Sequence, residues 1–314
     1  MTPGRDAIVA TAGETIGRGS KSFALASRLF DRRTRERAWL LYAWCRACDD
    51  LVDGQDHGHA RHAVIDAEAE AALDEMRQRT TAALEGRWVG DPAFDALRIV
   101  VAETGMPHRL VWDVVEGFAL DVRGWRPRSE ADLMRYCYHV AGAVGCMMAV
   151  VMGVSPDDDA VLDRACDLGI AFQLANIARD IEADDRIGRC YLPEEWLVEM
   201  DVPPGQHMKP PFRPRLSVLA RRLAKCAGEY EASARAGTPA LSFRSAWAVL
   251  AAAGIYGDIA RKVAAIGDHA WDHRVKTGAF AKIGWIARAG AQAYGRKRLY
   301  AGAERPATLW QRPR

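Results

Sequence analysis

Four aspartates define the chemistry available to this sequence. Residues 180 to 185 read DIEADD, so four of six positions are acidic, on a segment where Phe172, Leu174 and Ile177 are apolar. Successive helical residues advance by about 100°, which puts Gly169, Gln173, Asn176, Asp180 and Asp184 on one stripe about 80° wide. The stretch LLYAWCRACDDLVD yields a second stripe, in which Tyr42, Arg46, Asp49 and Asp53 fall within about 60° of one another. Like charges at i, i+4 cost an isolated helix about 0.2–0.5 kcal/mol, so two such pairs on otherwise apolar segments call for a compensating cation. Mg²⁺, with Mn²⁺ as a substitute, is suited to this: it takes oxygen ligands and is typically held by one or two carboxylates plus substrate phosphates. Two facing pairs, Asp49 with Asp53 and Asp180 with Asp184, can hold such ions around a diphosphate. Arg46 and Arg179 then stand where guanidinium groups can hydrogen-bond phosphate oxygens.

Other chemistries are poorly supported. Positions 49 to 60 fail as a calcium loop because the twelfth residue is Ala60 rather than Glu. The sequence contains neither a phosphate-cradling G-x-x-x-x-G-K nor a Ser-His-Asp order. Cys45 and Cys48 form a lone C-x-x-C without histidines at ligand spacing, and the odd total of seven cysteines, mostly in apolar segments, suits reduced thiols in a core. A net charge of +2 with singly scattered Lys and Arg argues against a nucleic-acid surface. The N-terminal stretch lacks the basic and then apolar blocks of a secretory signal, so a cytoplasmic location is expected.

The elements that must position these residues read as helices. Helical periodicity covers 34–53, 61–85, 93–104, 107–121, 130–153, 157–184, 215–235, 240–266 and 279–301, with Gly- and Pro-rich breakers between and a proline-rich loop at 201–215. Residues 140–154 are apolar throughout but shorter than the roughly 20 residues of a spanning helix, which points to a core helix. The expectation is an all-α, single-domain bundle over residues 1–314 with a central cavity, in which 1–13 and 302–314 are peripheral tails.

Five stretches occur in a characteristic order: GSKSF (19–23), YAWCRACDDLVD (42–53), YCYHVAGAVG (136–145), QLANIARDIEAD (173–184) and GRCYLP (188–193). In these the chain resembles the squalene/phytoene synthase family, over about residues 14 to 290, and most closely its bacterial phytoene-forming members. The resemblance implies a class I isoprenoid synthase fold. It also implies a Mg²⁺-dependent head-to-head condensation of two geranylgeranyl diphosphates, through prephytoene diphosphate, to phytoene, without NADPH. By that pattern Asp49, Asp53, Asn176, Asp180 and Asp184 serve the metal. Ser20, Lys21 and Ser22 form a flap over the diphosphate, and Arg46, Arg179, Tyr191 and Arg274 contact it, with Tyr42 and Gln173 nearby. Tyr136 lies beside the reacting carbons, where its ring stabilises positive charge. Val140, Ala141, Gly145, Ala165 and Gly169 face the prenyl tails, with close helix packing as the competing role, and Tyr256 is a weaker match. The late segment DHRVKTGAFAKI (272–283) keeps Arg274 and Val275 but departs at Lys276 and Thr277.

Two alternatives stand beside this reading. A sister enzyme would join two farnesyl diphosphates to dehydrosqualene, or to squalene with NADPH, and a non-catalytic scaffold relative would be expected to have lost carboxylates. The stretch FAKIGWIARAG (280–290) is a candidate for peripheral membrane association, since substrate and product are greasy.

Overall fold

The computed structural model describes residues 3–19, 21–53 and 63–314, with side chains described for 3–19, 23–52 and 67–314. Ser20 lies outside the described residues, as do the side chains of Lys21, Ser22 and Asp53. Among the described residues every regular element is helical, as the periodicity predicts. The helices are α1 (Arg5–Gly19), α2 (Lys21–Ser27), α3 (Arg32–Asp53), α4 (Ala63–Leu84), α5 (Pro92–Thr104), α6 (His108–Val122), α7 (Glu130–Cys137), α8 (Ala143–Val151), α9 (Asp159–Arg186), α10 (Glu194–Glu199), α11 (Arg213–Arg235), α12 (Phe243–Ile266) and α13 (Ala279–Leu299).

The chain divides into two compact units: residues 1–123 with 147–158, and residues 124–146 with 159–314. In unit 1, α3 packs against α1, α4 and α5. Its core includes Ile8, Ile16, Leu40, Leu41, Trp44, Leu73 and Leu97, each at most 2% exposed, and each such side chain contributes about 1.5–3 kcal/mol of burial. Local signals bound the helices. Asp91 caps α5 by accepting from the Ala93 amide at 2.8 Å, Pro92 opens that helix, and Gly105 closes it at φ 64°. Residues 1–13 are not a tail: α1 buries Ile8, Val9, Ala12 and Ile16, and Arg5 reaches Glu36 at 2.8 Å.

Unit 2 is built around α9, a 28-residue helix packed by α11, α12 and the segment that follows α7. The expected continuous helix over 130–153 is interrupted by a π-helical turn, Tyr138–Gly142. By composition Glu130–Val151 is long and apolar enough to span a membrane, yet 61% of its apolar window is buried in the protein, as a core helix requires. Residues 302–314 also depart from the expected tail. Arg305 grips the buried Asp167 in bidentate fashion at 2.8 and 2.9 Å, Arg312 meets Asp163 at 2.7 Å, and Trp310 packs on the Tyr138 ring.

Candidate active site

Helix α9 carries the polar stripe that the spacing predicts. Leu174, Ala175, Ile177, Ala178 and Ile181 are buried on its other faces, while Phe172, Gln173, Asn176, Asp180 and Asp184 are half-buried and reached by solvent. Asp180 sits between two guanidinium groups. Arg179 donates from Nε at 2.8 Å, and Arg274 donates from Nε and Nη2, both at 3.1 Å. Burial raises the Asp180 carboxyl, but the hydrogen bonds from Arg179 and Arg274 outweigh that and leave it below the usual carboxylate range. The group is therefore ionised at neutral pH, with Asp184 one turn farther along the same stripe.

Arg274 reaches α9 through a short segment anchored by the Trp271 indole, which donates to the Ala178 carbonyl at 3.0 Å. The proximity of Arg274 to Asp180 joins positions 94 residues apart. Trp271 was not singled out from the sequence; its only signal is its place three residues before Arg274.

Stacked aromatic rings form two groups in unit 2. Tyr256 stacks on Phe172 with centroids 4.2 Å apart. Tyr136 lies between Tyr191 at 4.8 Å and Trp125 at 5.7 Å, both nearly parallel to it. Tyr136 and Tyr191 are thus brought together, and Phe172 and Trp125 join residues that spacing alone did not connect. Gly145 and Gly169 serve close packing: a Cβ on Gly145 would come within 2.3 Å of the Ala165 carbonyl oxygen, and one on Gly169 within 2.2 Å of the Ala141 oxygen. Val140, Ala141, Gly145 and Ala165 remain half-buried, whereas Gly169 is buried.

The second stripe belongs to unit 1. Arg46 on α3 pairs with Asp49 at 3.1 Å and also with Asp50, a carboxylate not foreseen that shares its guanidinium. Arg46 and Asp49 are 42% and 44% exposed, which limits such a pair to at most about 1 kcal/mol. Tyr42 stacks on Phe23 at 5.8 Å, and Gly19 lets the end of α1 approach its hydroxyl, since a Cβ there would lie 2.4 Å from Oη. Among the described residues no cluster of three or more His, Cys, Asp or Glu converges on one point. The donors on α9 nonetheless suit a hard cation: an amide oxygen on Asn176, an ionised carboxylate on Asp180 and a further carboxylate on Asp184, spaced along one face. All seven cysteines are free thiols, and burial pushes Cys45 up to about 12.

Comparisons with known proteins agree with this geometry. A family model described as squalene/phytoene synthase matches residues 16–281. The chain is 47% identical to a phytoene synthase of Pseudescherichia vulneris, covering 96% of this chain and 97% of that one. It is 46% identical to a 15-cis-phytoene synthase of Pantoea ananas over the same shares. Among solved structures, a dehydrosqualene synthase in complex with ligand superposes with a TM-score of 0.82 at 26% identity, covering 93% of this chain and 98% of that one. A squalene synthase from Alicyclobacillus acidocaldarius, at 20% identity and a TM-score of 0.65, shares the fold over 93% of this chain and 95% of its own.

Proposed function

The chain belongs to the squalene/phytoene synthase family, and from that premise we propose that it joins two molecules of geranylgeranyl diphosphate head to head to make phytoene. The observation that carries the reading is the ionised Asp180, held between Arg179 and Arg274 on the solvent-reached stripe of α9. The near-full-length identity to proteins named phytoene synthase selects the product.

Asn176, Asp180 and Asp184 on α9 would hold Mg²⁺ or Mn²⁺, which when bound supplies positive charge to the oxygens of a departing diphosphate; the family pattern gives Asp49 and Asp53 of unit 1 the same role. The chain's own residues do the rest. Arg274, 61% exposed at its side chain, and Arg179, 14% exposed, both hydrogen-bond Asp180 and would supply donors to phosphate oxygens. Gln173 on α9 would add a polar contact, and by the family pattern Ser20, Lys21, Ser22, Tyr42 and Arg46 would supply further donors to the diphosphate.

Departure of the first diphosphate leaves an allylic cation at C1, which alkylates the double bond of the second molecule. Loss of a proton then closes the cyclopropane of prephytoene diphosphate. In the second half the remaining diphosphate leaves, the skeleton rearranges, and loss of another proton gives phytoene, with no reductant consumed. Water would destroy either cation. The stacked faces of Tyr136 and Tyr191, with Phe172 and Tyr256, exclude it and present π density to positive charge. The half-buried Val140, Ala141 and Ala165 would form the slim wall along which the tails lie, and Gly145 and Gly169 let the helices behind that wall close on each other. The reduced thiols favour a cytoplasmic site for the reaction, and the apolar product favours peripheral contact with a membrane.

Purified protein incubated with Mg²⁺ and either geranylgeranyl or farnesyl diphosphate, with and without NADPH, tests the reading by mass analysis of the extract. A C40 hydrocarbon formed without NADPH is the expected outcome. A C30 product would move the assignment to dehydrosqualene or squalene formation, and no product from either substrate would refute an enzymatic role.

A further inference from the structure

Helix α13 has two unlike faces. Its inner face is well packed. Ala289 and Ala293 are at most 1% exposed, Trp285 lies so close to Gly254 that a Cβ there would come within 2.3 Å of the indole, and Trp247 donates to the Ile286 carbonyl at 2.7 Å. The outer face leaves Phe280 91%, Ile283 63% and Tyr294 87% exposed. Single exposed apolar residues are ordinary, but these are in line. At about 100° per residue, Phe280, Ile283, Ala287, Ala291, Tyr294 and Arg298 occupy one stripe about 80° wide.

The charge is also one-sided. The 21 residues of α13 contain no Asp or Glu, while Lys282, Arg288, Arg296, Lys297 and Arg298 are cationic. Arg288 and Lys297 fall on either flank of the apolar stripe. A second copy of the same face is a poor partner, because apposing two such helices brings cations against cations. A bilayer with anionic headgroups suits both features, taking aromatic and aliphatic side chains into the headgroup region and paying each cation with a phosphate.

We propose that α13 docks lengthwise on the surface of an anionic lipid bilayer, with Phe280, Ile283 and Tyr294 inserted and Lys297 and Arg298 on the headgroups. The purpose, which rests on the prenyl diphosphate reading above, is delivery. Phe280 follows Arg274 by six residues, a reach of at most about 20 Å, so a docked α13 holds the Asp180–Arg274 pair close to where prenyl chains partition.

Co-sedimentation of the full-length protein with phosphatidylcholine vesicles, with and without phosphatidylglycerol, tests the docking. Binding to the mixed vesicles should be at least about tenfold tighter than to neutral ones and should weaken as salt is added. The triple variant Phe280→Ser/Ile283→Ser/Tyr294→Ser should lose at least about thirtyfold in vesicle affinity. Lys297→Glu/Arg298→Glu, confined to exposed side chains that do not support the fold, should abolish the preference for anionic lipid. Both variants should turn over detergent-dispersed substrate at the wild-type rate. Equal sedimentation of wild type with both vesicle types, or unchanged binding by the triple variant, would overturn the proposal. So would a wild-type dimer that the triple variant abolishes. Vesicle binding needs no catalysis, so a protein that docks but forms no product would refute the reaction and leave the docking standing.

Discussion

At Asp180, burial and pairing act in opposite directions. Burial alone would raise the carboxyl; the Arg179 and Arg274 hydrogen bonds reverse the sign and keep the anion. That makes Arg274 the most informative single position. Replacing it with Ala removes two charged hydrogen bonds, and the proposed chemistry then expects kcat/KM to fall by roughly 10²–10³-fold. Lys restores charge without the planar fork and should recover only part of the loss. Steady-state kinetics of the two variants, run at equal Mg²⁺, checks both statements; equal activity of Arg274→Ala and wild type would remove Arg274 from the site. The family pattern implies that Arg274 contacts the diphosphate, but its pairing with Asp180 is not foreseen. Nothing in the spacing of residues 94 positions apart announces it, and the Trp271 anchor behind it carried no sequence signal beyond its position.

At the scale of elements, the crossing of α9 with the α7–α8 segment decides where the site residues stand. Gly169 has a Cβ position only 2.2 Å from the Ala141 carbonyl oxygen, and backbone cannot yield as a flexible side chain would. Gly169→Ala should therefore force the helices apart and cost about 1–3 kcal/mol, read as a lower urea midpoint at unchanged m-value. It should also depress activity by displacing Tyr136 relative to Asp180, both of which belong to unit 2. A Gly228→Ala control, where a Cβ meets nothing within 4 Å, should be neutral or slightly stabilising in its helix. Periodicity located the long helices to within a few residues, because their apolar stripes repeat at helical spacing. It passed over α1, whose stripe is interspersed with Gly and Thr, and over the π turn at Tyr138–Gly142, which changes hydrogen-bond register without changing composition.

At the scale of the molecule, unit 2 closes on itself through its last residues. Asp167 is fully buried, and although Arg305 grips it from two nitrogens, burial dominates and its carboxyl is raised above the usual range. Removing Arg305 leaves that charge without its main partner, so Arg305→Ala should cost about 3–5 kcal/mol near neutral pH. The sign of the pH dependence follows from the raised carboxyl: protonation is favoured in the folded state, so the cost of the variant should shrink as pH falls towards the ordinary carboxylate range and be largest at neutral pH. Denaturation of wild type and variant at pH 5 and pH 7 tests it, and a cost that grows on acidification would contradict the assignment.

The sequence by itself determined the all-α class, most helix boundaries, the two Asp-x-x-x-Asp stripes and the family. These follow from local periodicity and from ordered short motifs, both properties of neighbouring residues. Tertiary structure alone decided that the chain forms two compact units, that Asp180 is shared by Arg179 and Arg274, that Tyr136 stacks between Tyr191 and Trp125, and that residues 302–314 are clasped to α9. It also left the outer face of α13 uncovered. Those outcomes depend on which distant segments meet, and the free energy of meeting is set by packing, desolvation and charge pairing, which no spacing along the chain encodes.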